Sequence, residues 1–230
     1  MFQREGLRAV IFDIDGTLVE SSSVYLKVFN EGIAAYDIGP VSQGFLDNRL
    51  RKGKGLREIL KGIFPPDTDD STIDTCQDSI KSLFRQVEPE EVRSFPGVEE
   101  LFRRLKSWGM KIGIATGRVS TPEDEWRRFT RLGLSRFIDA IVTSQEILSR
   151  KPAPDVLLEC AKRLHVPIGA CLAVGDTESD VLATKRAGAA AAYVRTGEED
   201  ANAIAKAGPP DIILENTYDL LAVLGGCEGT

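Results

Sequence analysis

The chain has 230 residues, of which 42% are hydrophobic and 28% charged, and its formal net charge is −6. This composition is typical of a globular protein with one full core and room for a smaller second domain. The acidic balance argues against nucleic acid or an anionic membrane as the main partner, because both repel a negative surface.

The apolar runs and the cysteines of the sequence indicate the cellular location of the protein and the redox state of its thiols. The first apolar run is short and ends at aspartates, which does not fit a secretory signal peptide, and no apolar stretch is long enough to cross a bilayer. The four cysteines form no C-x-x-C pair and have no histidine cluster beside them. We expect a cytoplasmic protein with reduced, structural cysteines and no membrane partner. The sequence leaves open whether it is a monomer or a homodimer.

The first predicted strand leads directly into two carboxylates. In "AVIFDIDGTLVES", an apolar run that should be buried is followed by Asp13 and Asp15, and then by Gly16 and Thr17. An aspartate before a glycine is commonly just a turn former. At this spacing, however, both carboxyls can project from the strand end while Gly16 lets the backbone turn.

A helical segment follows this strand. Residues 21–93 carry helical periodicity without a convincing strand and are broken at "DIGP" and "FPPDTDD". The predicted helices span residues 23–36, 56–63 and 71–87. We therefore predict a small helical domain over residues 21–94, inserted into a core formed by residues 1–20 and 95–230.

From residue 111 onward, short apolar runs alternate with amphipathic segments, as in repeated strand and helix units. The further predicted strands are 111–116, 137–143, 171–176, 191–195 and 211–214. The predicted helices are 98–107, 123–132, 153–164, 179–187, 200–207 and 217–224. Near-continuous apolar strands flanked by helices predict a Rossmann-like α/β core, with a parallel sheet covered on both faces.

Polar side chains stand at the carboxyl ends of several predicted strands. Asp13, Thr116 and Asp176 each end a strand, and Lys151 follows the third strand. Ligands bind outside the carboxyl ends of the strands in an open parallel sheet. Taken singly, these residues could be purely structural, since Asp180 fits a helix capping box and a loop lysine is usually solvated. Their joint presence at one edge favours a shared site.

The segments "FDIDGTL", "IATGR", "RKPAPD" and "GDTESD", in that order, resemble the four motifs of the haloacid dehalogenase (HAD) superfamily. The resemblance covers nearly the whole chain. The first motif is highly specific, and "KPAPD" with "VGDTESD" narrows the likeness to the phosphoglycolate-phosphatase-like branch. That branch carries a helical cap where residues 21–94 fall.

The resemblance implies a magnesium-dependent phosphatase acting on a small phosphorylated metabolite. Asp13 would attack phosphorus to form an aspartyl-phosphate, and Asp15 would protonate the leaving oxygen and later activate water. Lys151 would supply positive charge to the phosphoryl group. Thr116 and the amide of Gly117 would donate hydrogen bonds to its oxygens.

Electrostatics also favours a metal ion. A phosphate dianion beside carboxylates meets repulsion of about 4 kcal/mol per unit-charge pair at 4 Å and an effective dielectric near 20. The implied remedy is Mg²⁺, with oxygen ligands from Asp13, the main-chain carbonyl of Asp15, and Asp176. Asp180 would complete this acidic set by holding a metal-bound water or Lys151.

Two positions depart from the family pattern. Gly117 and then Arg118 follow the second-motif threonine, where relatives often carry asparagine, so the phosphate donor there is expected to be backbone only. Arg150 stands where relatives commonly have glycine. Its side chain could either point to solvent or reach the phosphate.

The predicted helical domain concentrates basic residues in "NRLRKGKGLREILKG". In similar proteins a loop at this place, holding a glycine such as Gly53, faces the active site and contacts the substrate beyond its phosphate. We expect one or two of Arg49, Lys52 and Arg57 to contact a polar or anionic leaving group. A solvated helix face is the alternative for each of them.

Two other functions share these features. A phosphomutase of the β-phosphoglucomutase type has the same core motifs and differs in whether water or a sugar hydroxyl receives the phosphoryl group. A non-catalytic phosphate-binding module is the second alternative, since receiver domains also gather aspartates and a lysine at strand ends. Receiver domains are typically shorter and lack a helical insertion after the first strand.

Overall fold

The computed structural model describes residues 5–51, 54–197, 204 and 208–225. The chain divides into two compact units, one formed by residues up to Val19 together with those from Ser94 onward, and the other by Glu20–Arg93. Lys52, Cys227 and nearly all of the predicted helix 200–207 lie outside the described residues.

The first unit is built on a six-stranded parallel sheet in the order β5-β4-β1-β6-β7-β8. In chain order the strands are β1 Ala9–Phe12, β2 Val19–Glu20, β3 Arg93–Ser94, β4 Lys111–Ala115, β5 Ala140–Val142, β6 Cys171–Gly175, β7 Ala190–Val194 and β8 Ile212–Leu214. The short strands β2 and β3 form a separate two-stranded sheet.

Helices lie on both faces of the six-stranded sheet. In chain order the helices are α1 Ser22–Ala34, α2 Gln43–Arg51, α3 Leu56–Lys61, α4 Asp70–Glu91, α5 Val98–Ser107, α6 Pro122–Arg131, α7 Asp155–Leu164, α8 Glu178–Ala187 and α9 Leu220–Gly225. Alternate residues of β1 point to opposite faces. Ala9 and Ile11 share a buried cluster with residues of α7 and α8, whereas the Phe12 ring packs 5.2 Å from the Phe102 ring of α5. The predicted α/β class is confirmed.

The second unit is helical, as predicted, and has its own core. Helices α1–α4 bury an apolar cluster that includes Phe29, Leu46 and Ile80. Edge-on aromatic contacts support it, with ring centroids 5.5 Å apart for Tyr25 and Phe84. The assignment of this unit as a substrate cap stays a prediction.

Some element boundaries differ from the predicted ones. Helix α2 is additional, because only a narrow apolar stripe around the buried Leu46 marks it in a polar segment. Strand β5 starts only at Ala140, since Ser135–Phe137 form a 3₁₀ turn. Helix α9 is likewise preceded by the 3₁₀ turn Thr217–Asp219.

The described cysteines are free thiols buried in the structure, as expected for structural cysteines: Cys76, Cys160 and Cys171. Burial raises the pKa of Cys171 to about 11, which keeps the thiol protonated and unreactive at neutral pH. Among the described residues, no helix combines the length and the apolar character needed to cross a bilayer.

Two helical glycines in the second unit provide a matched test of its packing. A Cβ added at Gly32 in α1 would lie 2.2 Å from Ile80 Cγ1, whereas one added at Gly44 in α2 would meet nothing within 4 Å. Gly32→Ala should therefore destabilise the protein by about 1–3 kcal/mol despite the better helix propensity of alanine. Gly44→Ala should be neutral or stabilising by up to about 1 kcal/mol.

Urea unfolding of both full-length variants measures this difference in the free energy of unfolding. Equal unfolding midpoints for the two variants would show that the contact between α1 and α4 is loose at Gly32.

Candidate active site

The site lies at the point where the strand order reverses. From β1 the chain adds β4 and β5 on one side, and then β6, β7 and β8 on the other. The crevice outside the carboxyl ends of the strands at such a switch point is the usual ligand position. Asp13 follows β1 and Asp176 follows β6, and the Asp13 amide donates to the Val174 carbonyl at 2.9 Å.

Lys151 is the centre of the cluster. Its Nζ donates three hydrogen bonds of 2.7 Å, to Asp13 Oδ1, Asp180 Oδ1 and the Ala115 carbonyl. An ammonium has three donors, so all of them are used. The side chains of Lys151, Asp13 and Asp180 are 8%, 13% and 9% exposed, so these are charged groups in a largely dry environment.

Asp180 serves two structural purposes at once. Its Oδ2 accepts hydrogen bonds from the Thr177 amide at 3.1 Å and the Thr177 hydroxyl at 2.5 Å, which completes the capping box of α8. Its Oδ1 is bonded to Lys151. A Cβ at Gly175 would lie 2.4 Å from Asp180 Cβ, so the glycine at the end of β6 admits this approach. Of the two roles expected for Asp180, the geometry shows the contact with Lys151.

Asp176 is held from the first loop. Its Oδ1 accepts a hydrogen bond of 3.0 Å from the Thr17 hydroxyl. Gly16 has φ +74°, and a Cβ there would lie 2.2 Å from Asp176 Oδ2. Two features therefore favour glycine at this position: the left-handed backbone conformation, and the close approach of the loop to the Asp176 carboxylate.

The electrostatics of the cluster show an excess of negative charge. Burial raises the pKa of Asp13 to about 7, against the opposing effect of Lys151. Burial, with the neighbouring Asp180 and Asp13 carboxylates, raises the pKa of Asp176 well above its usual range. Although burial opposes its charged form, Asp13 and Asp180 raise the pKa of Lys151 above its ordinary value. One ammonium therefore faces three carboxylates.

The donor set fits a hard divalent cation. Asp13, Asp176 and Asp180 each offer a carboxylate oxygen, and these oxygens lie within 4.8 Å of one another. Carboxylate oxygens are the ligands that Mg²⁺ prefers in proteins. A cation at this place would also favour the ionised forms of Asp13 and Asp176, whose pKa values are raised by burial and then by the neighbouring carboxylates.

Asp15 lies in a different environment from Asp13. Its two carboxylate oxygens accept hydrogen bonds from Nε and Nη2 of Arg118 in a bidentate ion pair. The Asp15 side chain is 39% exposed and that of Arg118 is 14% exposed. After Thr116, Gly117 can offer only its backbone amide, as expected. The next residue, Arg118, adds a side chain that contacts Asp15, the predicted proton donor.

The predicted phosphate-binding residues lie at the end of β4. Thr116 is buried, its amide donates to the Val142 carbonyl at 3.1 Å, and its hydroxyl oxygen accepts from the Arg118 amide at 3.1 Å. Because the hydroxyl oxygen is the acceptor in this bond, the Thr116 hydroxyl hydrogen can still be donated to another group. Gly117 is exposed. Arg150 is exposed as well.

Several anchoring residues were missed by sequence reasoning. Thr196 donates to the Gly16 carbonyl, and Thr217 donates to the Thr17 carbonyl at 2.5 Å. Thr196 lies just after β7 and Thr217 just before α9, both far along the chain from Gly16 and Thr17. A single threonine in a loop has no sequence pattern around it that would indicate such a contact. Thr17 was visible inside "DGT", but its contact with Asp176 depends on the sheet bringing β1 and β6 together.

The basic residues of the second unit have partners within that unit. Arg57 pairs with Asp70 at 3.1 Å and with Asp74 at 2.5 Å. The Arg49 guanidinium lies 3.4 Å from the centroid of the Phe45 ring and donates to the Phe45 carbonyl. Their expected contact with substrate stays a prediction, as does that of Lys52.

The chain is similar to known proteins over most of its length. The model of a family described as haloacid dehalogenase-like hydrolase matches residues 10–194. Pyrophosphatase PpaX of Oceanobacillus iheyensis is 25% identical over 225 residues, covering 95% of this chain and 97% of that protein. Phosphoglycolate phosphatase of Escherichia coli O157:H7 is 27% identical over 246 residues, covering 98% and 95%. The crystal structure of a hydrolase from Pseudomonas syringae matches with a TM-score of 0.74 and 26% identity, covering 96% and 100%.

Gly16 and Gly109 give a matched test of the close approach at Asp176. Both have positive φ, +74° and +76°, but a Cβ at Gly109 would meet nothing within 4 Å. Both alanine variants should lose roughly 1–2 kcal/mol of stability to backbone strain. Only Gly16→Ala should also weaken Mg²⁺ binding, by at least about tenfold, because the methyl group displaces the Asp176 carboxylate.

Isothermal titration with MgCl₂, beside urea unfolding, separates the two effects. Wild-type Mg²⁺ affinity in folded Gly16→Ala would mean that Asp176 is not part of the cation site.

Proposed function

The chain belongs to the haloacid dehalogenase-like hydrolase family, and from this premise we propose that it is a Mg²⁺-dependent phosphatase. It hydrolyses a small-molecule phosphate monoester through an aspartyl-phosphate intermediate. The observation that carries the proposal is the buried Lys151 ammonium, bonded to Asp13 and Asp180 beside Asp176. Asp13 lies in this dry cluster, whereas the side chain of Asp15 is more exposed. This difference in surroundings supports different roles for the two carboxylates.

In the first half-reaction, Asp13 is the nucleophile. Its carboxylate oxygen forms a bond to phosphorus while the bond from phosphorus to the leaving oxygen breaks and gives its electron pair to that oxygen. Asp15 delivers the proton that the leaving oxygen takes up. Its 39% exposed side chain lets it exchange protons with water, which the 13% exposed Asp13 side chain does much less readily.

In the second half-reaction, Asp15 accepts a proton from the attacking water. The water oxygen bonds to phosphorus, and the bond from phosphorus to Asp13 breaks with its electron pair returning to the carboxylate. Splitting the displacement in this way replaces one slow step by two faster ones. The products are the dephosphorylated alcohol and inorganic phosphate.

Lys151 acts as a fixed positive charge. Its three hydrogen bonds hold it against Asp13, so it favours the ionised form that a nucleophile needs. It also opposes the negative charge of an incoming phosphoryl group, together with Thr116 and the Gly117 amide at the end of β4. A bound Mg²⁺ would supply the charge neutralisation and polarisation of phosphoryl oxygens that one ammonium cannot supply alone.

The substrate is proposed at the level of a small phosphorylated metabolite. Relatives include a phosphoglycolate phosphatase and a pyrophosphatase. Their substrates are those of the relatives, and the substrate proposed for this chain is the broader class. Arg49, Lys52 and Arg57 of the second unit remain candidates for contacts with the leaving group. In this proposal Asp15 activates water, which distinguishes the reaction from that of a phosphomutase, where a sugar hydroxyl is the acceptor.

Asp13→Asn should abolish turnover, because the amide is a poor nucleophile and cannot form the aspartyl-phosphate. We expect a loss of at least about 1,000-fold in phosphate release from p-nitrophenyl phosphate and from a panel of sugar phosphates with Mg²⁺. Asp78→Asn is the control, because Asp78 is exposed and paired only loosely with Lys81 at 3.4 Å.

Phosphate release by wild type without any bisphosphate activator supports a hydrolase over a phosphomutase. Retained activity in folded Asp13→Asn would show that the nucleophile lies elsewhere.

Mg²⁺ should bind the folded protein and raise its thermal unfolding midpoint, since a ligand that binds only the native state stabilises it. At a Mg²⁺ concentration of roughly 100 Kd, the gain is about 2.7 kcal/mol. Asp176→Asn should lose most of this shift, because it removes a charged oxygen from the cluster. EDTA should abolish both the shift and the activity of wild type, and excess Mg²⁺ should restore them.

A midpoint that rises equally in wild type and in Asp176→Asn would place the ion at another site. The same scans with Asp78→Asn control for a general effect of lost surface charge.

A further inference from the structure

Arg118 is the feature of the site that the proposed mechanism leaves without a role. We propose that Arg118 is a specificity-determining residue that binds an anionic group, a carboxylate or a second phosphate, on the leaving part of the substrate. Asp15 occupies the guanidinium when no substrate is bound. This inference rests on the proposed phosphatase function and names the class of substrate that it takes.

The shape of the contact suits an anion with two oxygens. Arg118 donates through Nε and Nη2 to the two oxygens of Asp15. A guanidinium presents this pair of N–H groups in a fixed plane that matches carboxylate and phosphate equally well. Asp15 therefore marks where two oxygens of a ligand would bind, and its exposure lets a ligand replace it.

The loop that carries Arg118 is fastened at several points. The Arg118 amide donates to the Thr116 hydroxyl at 3.1 Å, and its carbonyl accepts from the Ser144 amide at 3.2 Å and the Ser144 hydroxyl at 2.8 Å. Two residues further on, Ser120 donates at 2.6 Å to Glu125, which is fully buried. This anchoring orders the base of the arginine before substrate arrives, which lowers the entropic cost of using it for binding.

Lys151 cannot perform the same task. Its three donors are used by Asp13, Asp180 and the Ala115 carbonyl, and its side chain is 8% exposed. Its charge therefore belongs to the nucleophile and the transferred phosphoryl group. A second negative group on the substrate needs another cation, and Arg118 is a cation that contacts Asp15.

The position of Arg118 assigns it to the leaving part of the substrate. Asp15 is the proposed proton donor to the leaving oxygen, so its carboxyl lies against that oxygen during the reaction. The guanidinium is one hydrogen bond away from the Asp15 carboxylate. An anionic group attached near the leaving oxygen reaches the guanidinium and takes the place of Asp15, whereas a neutral hydroxyl offers no charge to exchange for it.

A matched pair of substrates tests this assignment. 2-Phosphoglycolate and 2-hydroxyethyl phosphate have leaving groups of similar size and differ in having a carboxylate or a neutral hydroxyl. Wild type with Mg²⁺ should have the higher kcat/KM for 2-phosphoglycolate, or for 1,2-ethanediol bisphosphate if the second anion is a phosphate. The comparison of these two anionic substrates identifies which anion the site takes.

Arg118→Gln should lower kcat/KM for the preferred anionic substrate by roughly 10- to 100-fold, the effect of losing a charged hydrogen-bond pair. It should lower kcat/KM for 2-hydroxyethyl phosphate by less than about fivefold, because only the contact with Asp15 is lost there, and the remaining turnover shows that the variant is folded and active. Arg118→Lys should retain part of the preference, because it keeps the charge and loses the fork. Arg127→Gln, at an arginine whose side chain is 75% exposed on α6, is the neutral control.

An equal loss on anionic and neutral substrates in Arg118→Gln would overturn the inference, because it would assign Arg118 a general role in the site. An unchanged preference in that variant, with a loss in Arg150→Gln, would move the recognition to Arg150 and also overturn it. Absence of phosphate release by wild type from every substrate would refute the proposed function instead.

Discussion

The structure of the site depends on one buried ammonium held among carboxylates. Desolvating a charge is costly unless it is paired and hydrogen-bonded. Lys151 satisfies this requirement with two carboxylates and a main-chain carbonyl, and in doing so it fixes the relative positions of β1, β4 and α8. The third carboxylate, Asp176, remains in excess, and burial, together with the neighbouring Asp180 and Asp13 carboxylates, raises its pKa well above the usual range.

Close packing of backbone against carboxylate makes this arrangement possible. Gly16 and Gly175 stand where a Cβ would collide with Asp176 and Asp180, so each glycine admits one acid to the cluster. The loop after β1 is then fixed from outside by hydroxyl groups, through Thr196 on the Gly16 carbonyl and Thr217 on the Thr17 carbonyl. A rigid loop can hold carboxylates close together that would separate in a flexible one.

Two carboxylates separated by a single residue end in contrasting surroundings. Asp13 points into the dry cluster beside Lys151, where burial raises its pKa to about 7. Asp15 lies on the wetter side and pairs with Arg118. A nucleophile benefits from exclusion of water and a proton carrier from access to it, so this asymmetry suits the two-step phosphoryl transfer that we propose. The role that we propose for Arg118 would add a means of selecting the leaving group to the same site.

The sequence by itself determined the α/β class, the helical insert and the family, because apolar periodicity and short contiguous motifs are local properties of the chain. It also placed Asp13, Thr116 and Asp176 at strand ends, because each of them directly follows a short run of apolar residues. It could not show helix α2, whose apolar stripe is narrow, or the partners of side chains in loops. Asp15 and Arg118 are 103 positions apart, and Thr17 and Thr217 are 200 apart. Only the tertiary structure decided those contacts, because the direction of a loop side chain is set by what the folded sheet brings next to it.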